Sequence, residues 1–289
     1  MKTEGFFTAH RYEITIPEWR QKPIYLIPIG DVHYGTENFH QGKWDEFCEW
    51  AKDRKDCWYL LMGDMIDYMS SSERNYVKIS DFHEQTRKEL ETVSDGKVRA
   101  FCESASFLKG RTIGVLGGNH YFQYQSGMTS TDKICEYFQC RNLGVASMIR
   151  LIVKDANISK RSKAHSAKID IYAHHGEGGG RTVGTSLNKL ERSMKGIEAD
   201  LYIQGHDHKK AVATKSRIAL TDSKHSLRLI QKKIHLIRAG GFLRGFVDGK
   251  QSYIAEGNYN PTDLGLIKII LTPKRDKLKT RYIDVHCSV

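Results

Sequence analysis

With 289 residues, 39% of them hydrophobic and 27% charged, the chain has the composition of a water-soluble globular protein with a full core, which excludes collagenous, disordered and membrane-spanning classes. A formal net charge of +11 makes polyanions its natural partners, nucleic acid foremost. Six cysteines, Cys48, Cys57, Cys102, Cys135, Cys140 and Cys287, include no CxxC pair, so free thiols in a reducing compartment are expected rather than a disulfide scaffold.

The chain opens MKTEGFFTAHRYEITIPEW, with no apolar stretch after its charges. A secretory leader is therefore not expected, and a cytoplasmic location without membrane attachment is. Short apolar runs then end, one after another, in glycine and ligating side chains. Ile24 to Ile29 runs into Gly30-Asp31-Val32-His33, and Trp58 to Met62 into Gly63-Asp64. Thr112 to Leu116 runs into Gly117-Gly118-Asn119-His120, Ile169 to Ala173 into His174-His175-Gly176, and Leu201 to Ile203 into Gln204-Gly205-His206-Asp207-His208. Such runs read as buried strands, although Pro28 weakens the first. Between them, Trp44, Phe47, Cys48 and Ala51 fall at helical spacing. Phe82 to Leu108 reads as a helix broken near Ser94-Asp95-Gly96, and Leu187, Leu190 and Met194 mark a third. Strands alternating with helices give an α/β class.

After residue 208 the pattern turns to β, with strands expected at Ala211 to Leu220, Ser226 to Gln231, Ile234 to Arg238, Leu266 to Leu271 and Thr280 to Val285. No repeat or linker interrupts the chain, so a single domain over 1–289 is expected, with a less regular insert near 68–100 as a candidate substrate wall.

The residues beyond the strand ends are Asp31, His33, Asp64, Asn119, His175, His206 and His208. Carboxylates and neutral imidazoles suit Mn, Fe, Zn, Co and Ni, and a carboxylate can bridge two ions through its two oxygens. A spacing of two at a strand end points Asp31 and His33 to one side, so both can serve one ion, and the same holds for His206 and His208. Each motif alone is as readily a turn or a surface loop. The order DxH, GDxxD, GNH, HHG, GHxH, each after a buried strand, is far more specific.

That ordered set, over Asp31 to His208, resembles the calcineurin-like metallophosphoesterase superfamily. The resemblance implies a four-layer αββα sandwich with a dimetal site at one edge, and hydrolysis of phosphoesters by a hydroxide bridging two divalent ions, Mn being the expected metal. It implies that Asp31, His33 and His208 hold the first ion, that Asn119, His175 and His206 hold the second, and that Asp64 bridges them. His120 becomes the catalytic histidine beside the scissile phosphate, and Asp67 a residue that orients a histidine. Two departures stand out: Tyr121 occupies a position where the superfamily often has an acid, and His174 competes with His175 as the ligand. Arg181 and Arg244 each follow a glycine-rich stretch and are candidate phosphate contacts, because a guanidinium fork suits phosphate oxygens. The tail GGFLRGFVDGKQSYIAEGNYNP also resembles metallophosphoesterases of bacteriophages and mobile elements. With the positive charge, phosphodiesterase or nuclease activity on nucleic acid is the leading expectation. The alternatives are a phosphatase or phosphodiesterase for small or protein substrates, and a non-catalytic metal-containing binding module.

Overall fold

The computed structural model describes residues 9–17, 22–76, 79–156, 166–178, 180, 182–223, 226–249, 253–258, 260–275 and 281–289. In chain order its strands are β1 (Ala9–Ile16), β2 (Ile24–Ile29), β3 (Cys57–Leu61), β4 (Thr112–Val115), β5 (Arg141–Asn142), β6 (Ala146–Asp155), β7 (Ser166–His174), β8 (Leu201–Gln204), β9 (Lys210–Ser223), β10 (Ser226–Gly241), β11 (Gly265–Leu266), β12 (Lys268–Arg275) and β13 (Arg281–Ser288). The helices that matter below are α1 (Gln41–Ala51), α2 (Ser71–Tyr76), α3 (Glu84–Ser104), α4 (Ser130–Phe138) and α5 (Val183–Ser193). Among the described residues, no helix is long and apolar enough to cross a membrane.

Two mixed sheets form. One runs β13-β12-β2-β3-β4-β5; the other runs β1-β6-β7-β8-β10-β11, with β9 paired to β10. Strand alternation decides what each face covers. In β2, Ile24 and Leu26 face a core shared by both sheets, whereas Ile27 and Ile29 face the opposite way. Ile171 of β7 joins the shared core, and its neighbour Tyr172 faces outward. The outer face of the first sheet is covered by Trp44 of α1, Phe101 of α3 and Phe138 of α4. The outer face of the second is covered by Leu187 and Leu190 of α5. The four layers are therefore helix, sheet, sheet, helix, as expected.

β2, β3 and β4 run parallel to one another, and so do β7, β8 and β10. All five motif segments leave the carboxyl ends of five of these strands, where an α/β sheet gathers its functional loops. Pro28 is accommodated because the β12 pairing of β2 ends at Leu26, leaving a hydrogen-bonded neighbour on one side only.

Several expectations are corrected. α3 runs unbroken from Glu84 to Ser104 through Gly96. Its Ser94 side chain is buried and meets the hydroxyls of Tyr68 and Tyr124 at 2.9 and 2.7 Å, and Asp95 pairs with Lys133, so tertiary contacts hold the stretch that local propensity would break. The 68–100 segment is accordingly mostly helical. The segments Ser226 to Gln231 and Ile234 to Arg238 form one strand, β10, paired with β9 from Ala239 out to Ser226. Leu266 to Leu271 divides at Ile267, because β11 pairs with β10 in one sheet and β12 with β2 in the other.

Candidate metal centre

Five of the predicted ligands sit in the left-handed region of backbone space: Asp31 (φ 49°), His33 (49°), Asp64 (53°), His206 (74°) and His208 (55°). Only two other described non-glycine residues, Gln139 and Asn258, share that sign. Left-handed backbone costs energy for residues with a Cβ, and it concentrates where function fixes side-chain direction. The pairs therefore do not project by strand alternation. Asp31 and His33 do come together, joined by His208, with ligating atoms within 4.8 Å of one another. His206 and His208 part company: His206 joins Asp64 and His175 in a second group of the same tightness. The spacing argument is corrected for that pair: a spacing of two does not bring His206 and His208 to one group.

The second group has converging lone pairs. His175 Nδ1 donates to the Met62 carbonyl at 2.8 Å, so in the neutral imidazole Nε2 is left as an acceptor. That Nε2 lies 2.9 Å from Asn119 Oδ1, 3.2 Å from Asp64 Oδ2 and 3.3 Å from His206 Nδ1, and His206 Nδ1 is itself 2.9 Å from Asn119 Oδ1. A cluster of acceptors at these separations calls for a cation. In the first group, Asp67 accepts from His33 Nδ1 at 3.0 Å, which turns His33 Nε2 inward. His33 Nε2 and Asp31 Oδ1 are both buried with no hydrogen-bond partner among the described residues. Buried orphan polar atoms are costly, and a divalent ion satisfies both. The donor set thus fits two borderline divalent ions.

Electrostatics point the same way. Burial, with Asp64's charge adding to it, pushes Asp31 up to about 7 despite His175 nearby. Burial opposes charge on His175, but the hydrogen bond and charge of Asp64 raise it to about 9. Burial also opposes charge on Asp64, and the bond from His175 holds it well below the usual carboxylate range. Burial takes His206 down to about 4 and His208 well below its ordinary value. Protons here do what metal ions do better.

Asp67 does more than orient one ligand. Its Oδ1 also meets His120 Nδ1 at 2.7 Å, and that nitrogen is 2.9 Å from the Tyr68 carbonyl. The residue that orients His120 is therefore Asp67, and Tyr121 need not supply an acid. Against the cost of burial, the hydrogen bond that His120 donates to Asp67 and the charge of Asp64 raise His120 to about 9. Asp64 Oδ1 fixes the loop by accepting from the His120 backbone N–H at 2.9 Å. A Cβ on Gly118 would lie 1.9 Å from that same oxygen, so glycine is required there for the loop to close on Asp64.

These groups line a cavity of about 460 Å³ with His33, Asp64, Asn119, His120, His206 and His208 in its wall, beside Lys209, Asn260 and Thr262. His174 is not part of either group; its Nδ1 accepts from Gly176 N at 2.7 Å and shapes the turn that delivers His175. Arg181 lies outside the described residues. Arg244 does not reach the cavity wall; its Nη2 donates to the Glu37 carbonyl at 3.3 Å, and it is Leu243, Glu37 and Asn38 that line the cavity.

Sequence reasoning missed the support beneath the His206–His208 loop. Arg238, on β10 and 2% exposed, donates from Nη2 to the Gly205 carbonyl at 2.6 Å and from Nε to Asp207 at 3.1 Å, and it also bonds Gln204. An arginine flanked by Ile237 and Ala239, after Leu236, at the end of an apolar run was the available signal.

No protein-family model matches the chain, and no curated protein matches it closely. Solved structures do. Vps29 from Chaetomium thermophilum aligns at 10% identity and TM-score 0.36, covering 92% of this chain and 97% of that one. A predicted phosphoesterase from Streptococcus pneumoniae aligns at 12% identity and TM-score 0.32, covering 92% and 89%. NAD nucleotidase from Haemophilus influenzae aligns at 10% identity and TM-score 0.35, covering 92% of this chain and 49% of that one. Likenesses this distant bear on neither chemistry nor substrate.

Proposed function

We propose that the chain is a calcineurin-like metallophosphoesterase that hydrolyses phosphoester bonds with two divalent metal ions. The observation that carries this reading is the pair of ligand groups, Asp31/His33/His208 and Asp64/His175/His206 with Asn119, opening on one cavity. Bound divalent ions supply Lewis acidity and a water of lowered pKa. The chain's own residues do the rest. Asp64 would hold both ions; in support of this, it belongs to the second group and its charge also acts on Asp31 in the first. His120 lines the cavity, and with Nδ1 held by Asp67 and Tyr68 its remaining polar side-chain atom is Nε2. From there it donates a proton to the leaving oxygen or stabilises charge on the phosphoryl group.

Nucleic acid is the substrate class we favour, on the +11 charge, and Mn the metal. The test is hydrolysis of a phosphomonoester, a phosphodiester, and single- and double-stranded DNA with added Mn²⁺, against a chelator control and across a salt series. Cleavage of DNA that weakens steeply with salt is expected, through counterion release. Turnover of the small esters alone, indifferent to salt, would move the substrate to the small-molecule class. No turnover of any ester would leave a metal-containing binding module.

Two outcomes test the roles. His120→Ala lowers kcat by about 10²–10⁴-fold, the range for a lost general acid, while metal content stays at the wild-type value. Full turnover by that variant on an unactivated ester refutes its role. His175→Ala loses one ion per chain by elemental analysis and His174→Ala loses none; the reverse result exchanges the two assignments.

A further inference from the structure

A second cavity, of about 310 Å³, adjoins the first, and Asp67 lines both. Its walls are almost wholly apolar and come from the segment between β3 and α3, from α3 itself, and from the loop after His120. Tyr68, Met69, Phe82, Val93, Tyr121 and Phe122 supply most of the surface. Val93 is 57% exposed and Phe82 38%, an unusual outlay of large apolar groups beside a charged centre. Two cations stand at these rings. Arg74 lies 3.9 Å over Tyr121, and Lys97 lies 5.1 Å over Tyr68.

Arg74 also joins the two cavities mechanically. It donates to the carbonyls of Asn119 at 3.0 Å and Tyr121 at 3.3 Å, and to that of Met69. The pocket is thus fastened to the loop that carries Asn119 and His120. Asp67, which contacts His120, is the residue common to both walls.

Resting on the phosphoesterase reading above, we propose that this cavity is the subsite for the organic group of the substrate, and that it takes a nucleobase. The volume is at the small end of ligand pockets, enough for one nucleoside and not for an extended strand. Aromatic faces and arginine planes are the surfaces on which bases stack. A saturated chain would meet only the apolar walls, whereas the rings of Tyr68, Tyr121 and Phe122 and the amide of Gln123 match both the π-face and the hydrogen-bonding edge of a base. The pocket selects the nucleotide next to the scissile bond; the metal centre acts on its phosphate.

Calorimetric titration of the Mn²⁺-loaded full chain tests this without turnover. The probes are inorganic phosphate, ribose 5-phosphate and adenosine 5′-monophosphate. Adenosine 5′-monophosphate is expected to bind about ten-fold or more tighter than ribose 5-phosphate, within the range for stacking one base. Val93→Trp, at an exposed position of α3 outside the metal groups, fills the pocket; it should erase that gain and leave ribose 5-phosphate binding unchanged. Equal, Mn²⁺-dependent affinities for the two sugar phosphates would overturn the subsite and keep the dimetal reading. A base-dependent gain that survives Val93→Trp would place the base elsewhere and overturn the subsite too. If phosphate itself shows no Mn²⁺-dependent binding, the dimetal reading fails and takes the subsite with it.

Discussion

Asp64→Ala should strip the centre of metal and lower kcat/KM by more than about 10³-fold, beyond the loss of a single transition-state hydrogen bond. The effect is this large because one side chain performs three tasks. Its Oδ2 faces His175 Nε2 at 3.2 Å, its Oδ1 accepts from the His120 backbone at 2.9 Å, and its charge acts on Asp31 in the other group. Removing it loosens both ions and releases the loop that carries Asn119 and His120. Asp64→Asn separates charge from shape, since the amide oxygen can still accept from His120. Elemental analysis of both variants should give less than one ion per chain. Two ions retained by the Asn variant would show that Asp64 holds the loop and does not bridge.

Arg238→Met should destabilise the fold by about 3–5 kcal/mol, the cost of stranding one member of a buried ion pair. The partner left behind is Asp207, whose side chain is 4% exposed and keeps the longer contact with Lys209 at 3.7 Å, and the Gly205 carbonyl loses a donor as well. Both belong to the loop that delivers His206 and His208, so the metal ions should weaken along with the fold. Denaturant unfolding of the metal-free protein measures the first effect apart from the second. The double variant Arg238→Met with Asp207→Leu should recover part of the loss, because it removes the buried carboxylate while the Gly205 carbonyl and Gln204 still lack their donor. Wild-type stability in the single variant would mean that solvent reaches the pair.

The two effects differ in how far they were foreseeable. Asp64 follows an apolar run and glycine, and its place among DxH, GNH, HHG and GHxH marks it as part of a centre. Arg238 lies inside a strand with no motif, and its partner Asp207 is the unassigned middle residue of His206-Asp207-His208. A local pattern shows which residues end a strand, not which distant strand passes beneath them.

Sequence alone determined the α/β class, the strands that end in candidate ligands, and the residue types at those ends, because strand burial and ligating chemistry are both written in short local patterns. It did not reveal β1 or β6, where alternating polar residues mask the buried positions Ile14 and Ile16, and Ile149 and Leu151. It could not decide that α3 continues through Gly96, since Ser94 and Asp95 are held by Tyr68, Tyr124 and Lys133 from elsewhere in the chain. It divided His206 from His208 only through a family resemblance, and in the structure the two side chains fall in different groups, His206 with Asp64 and His175, His208 with Asp31 and His33. Likewise the choice of His175 over His174, and of Asp67 as the partner of His120, depends on contacts across 113 and 53 residues of chain. Such contacts exist only once the two sheets have packed and their strand ends have met.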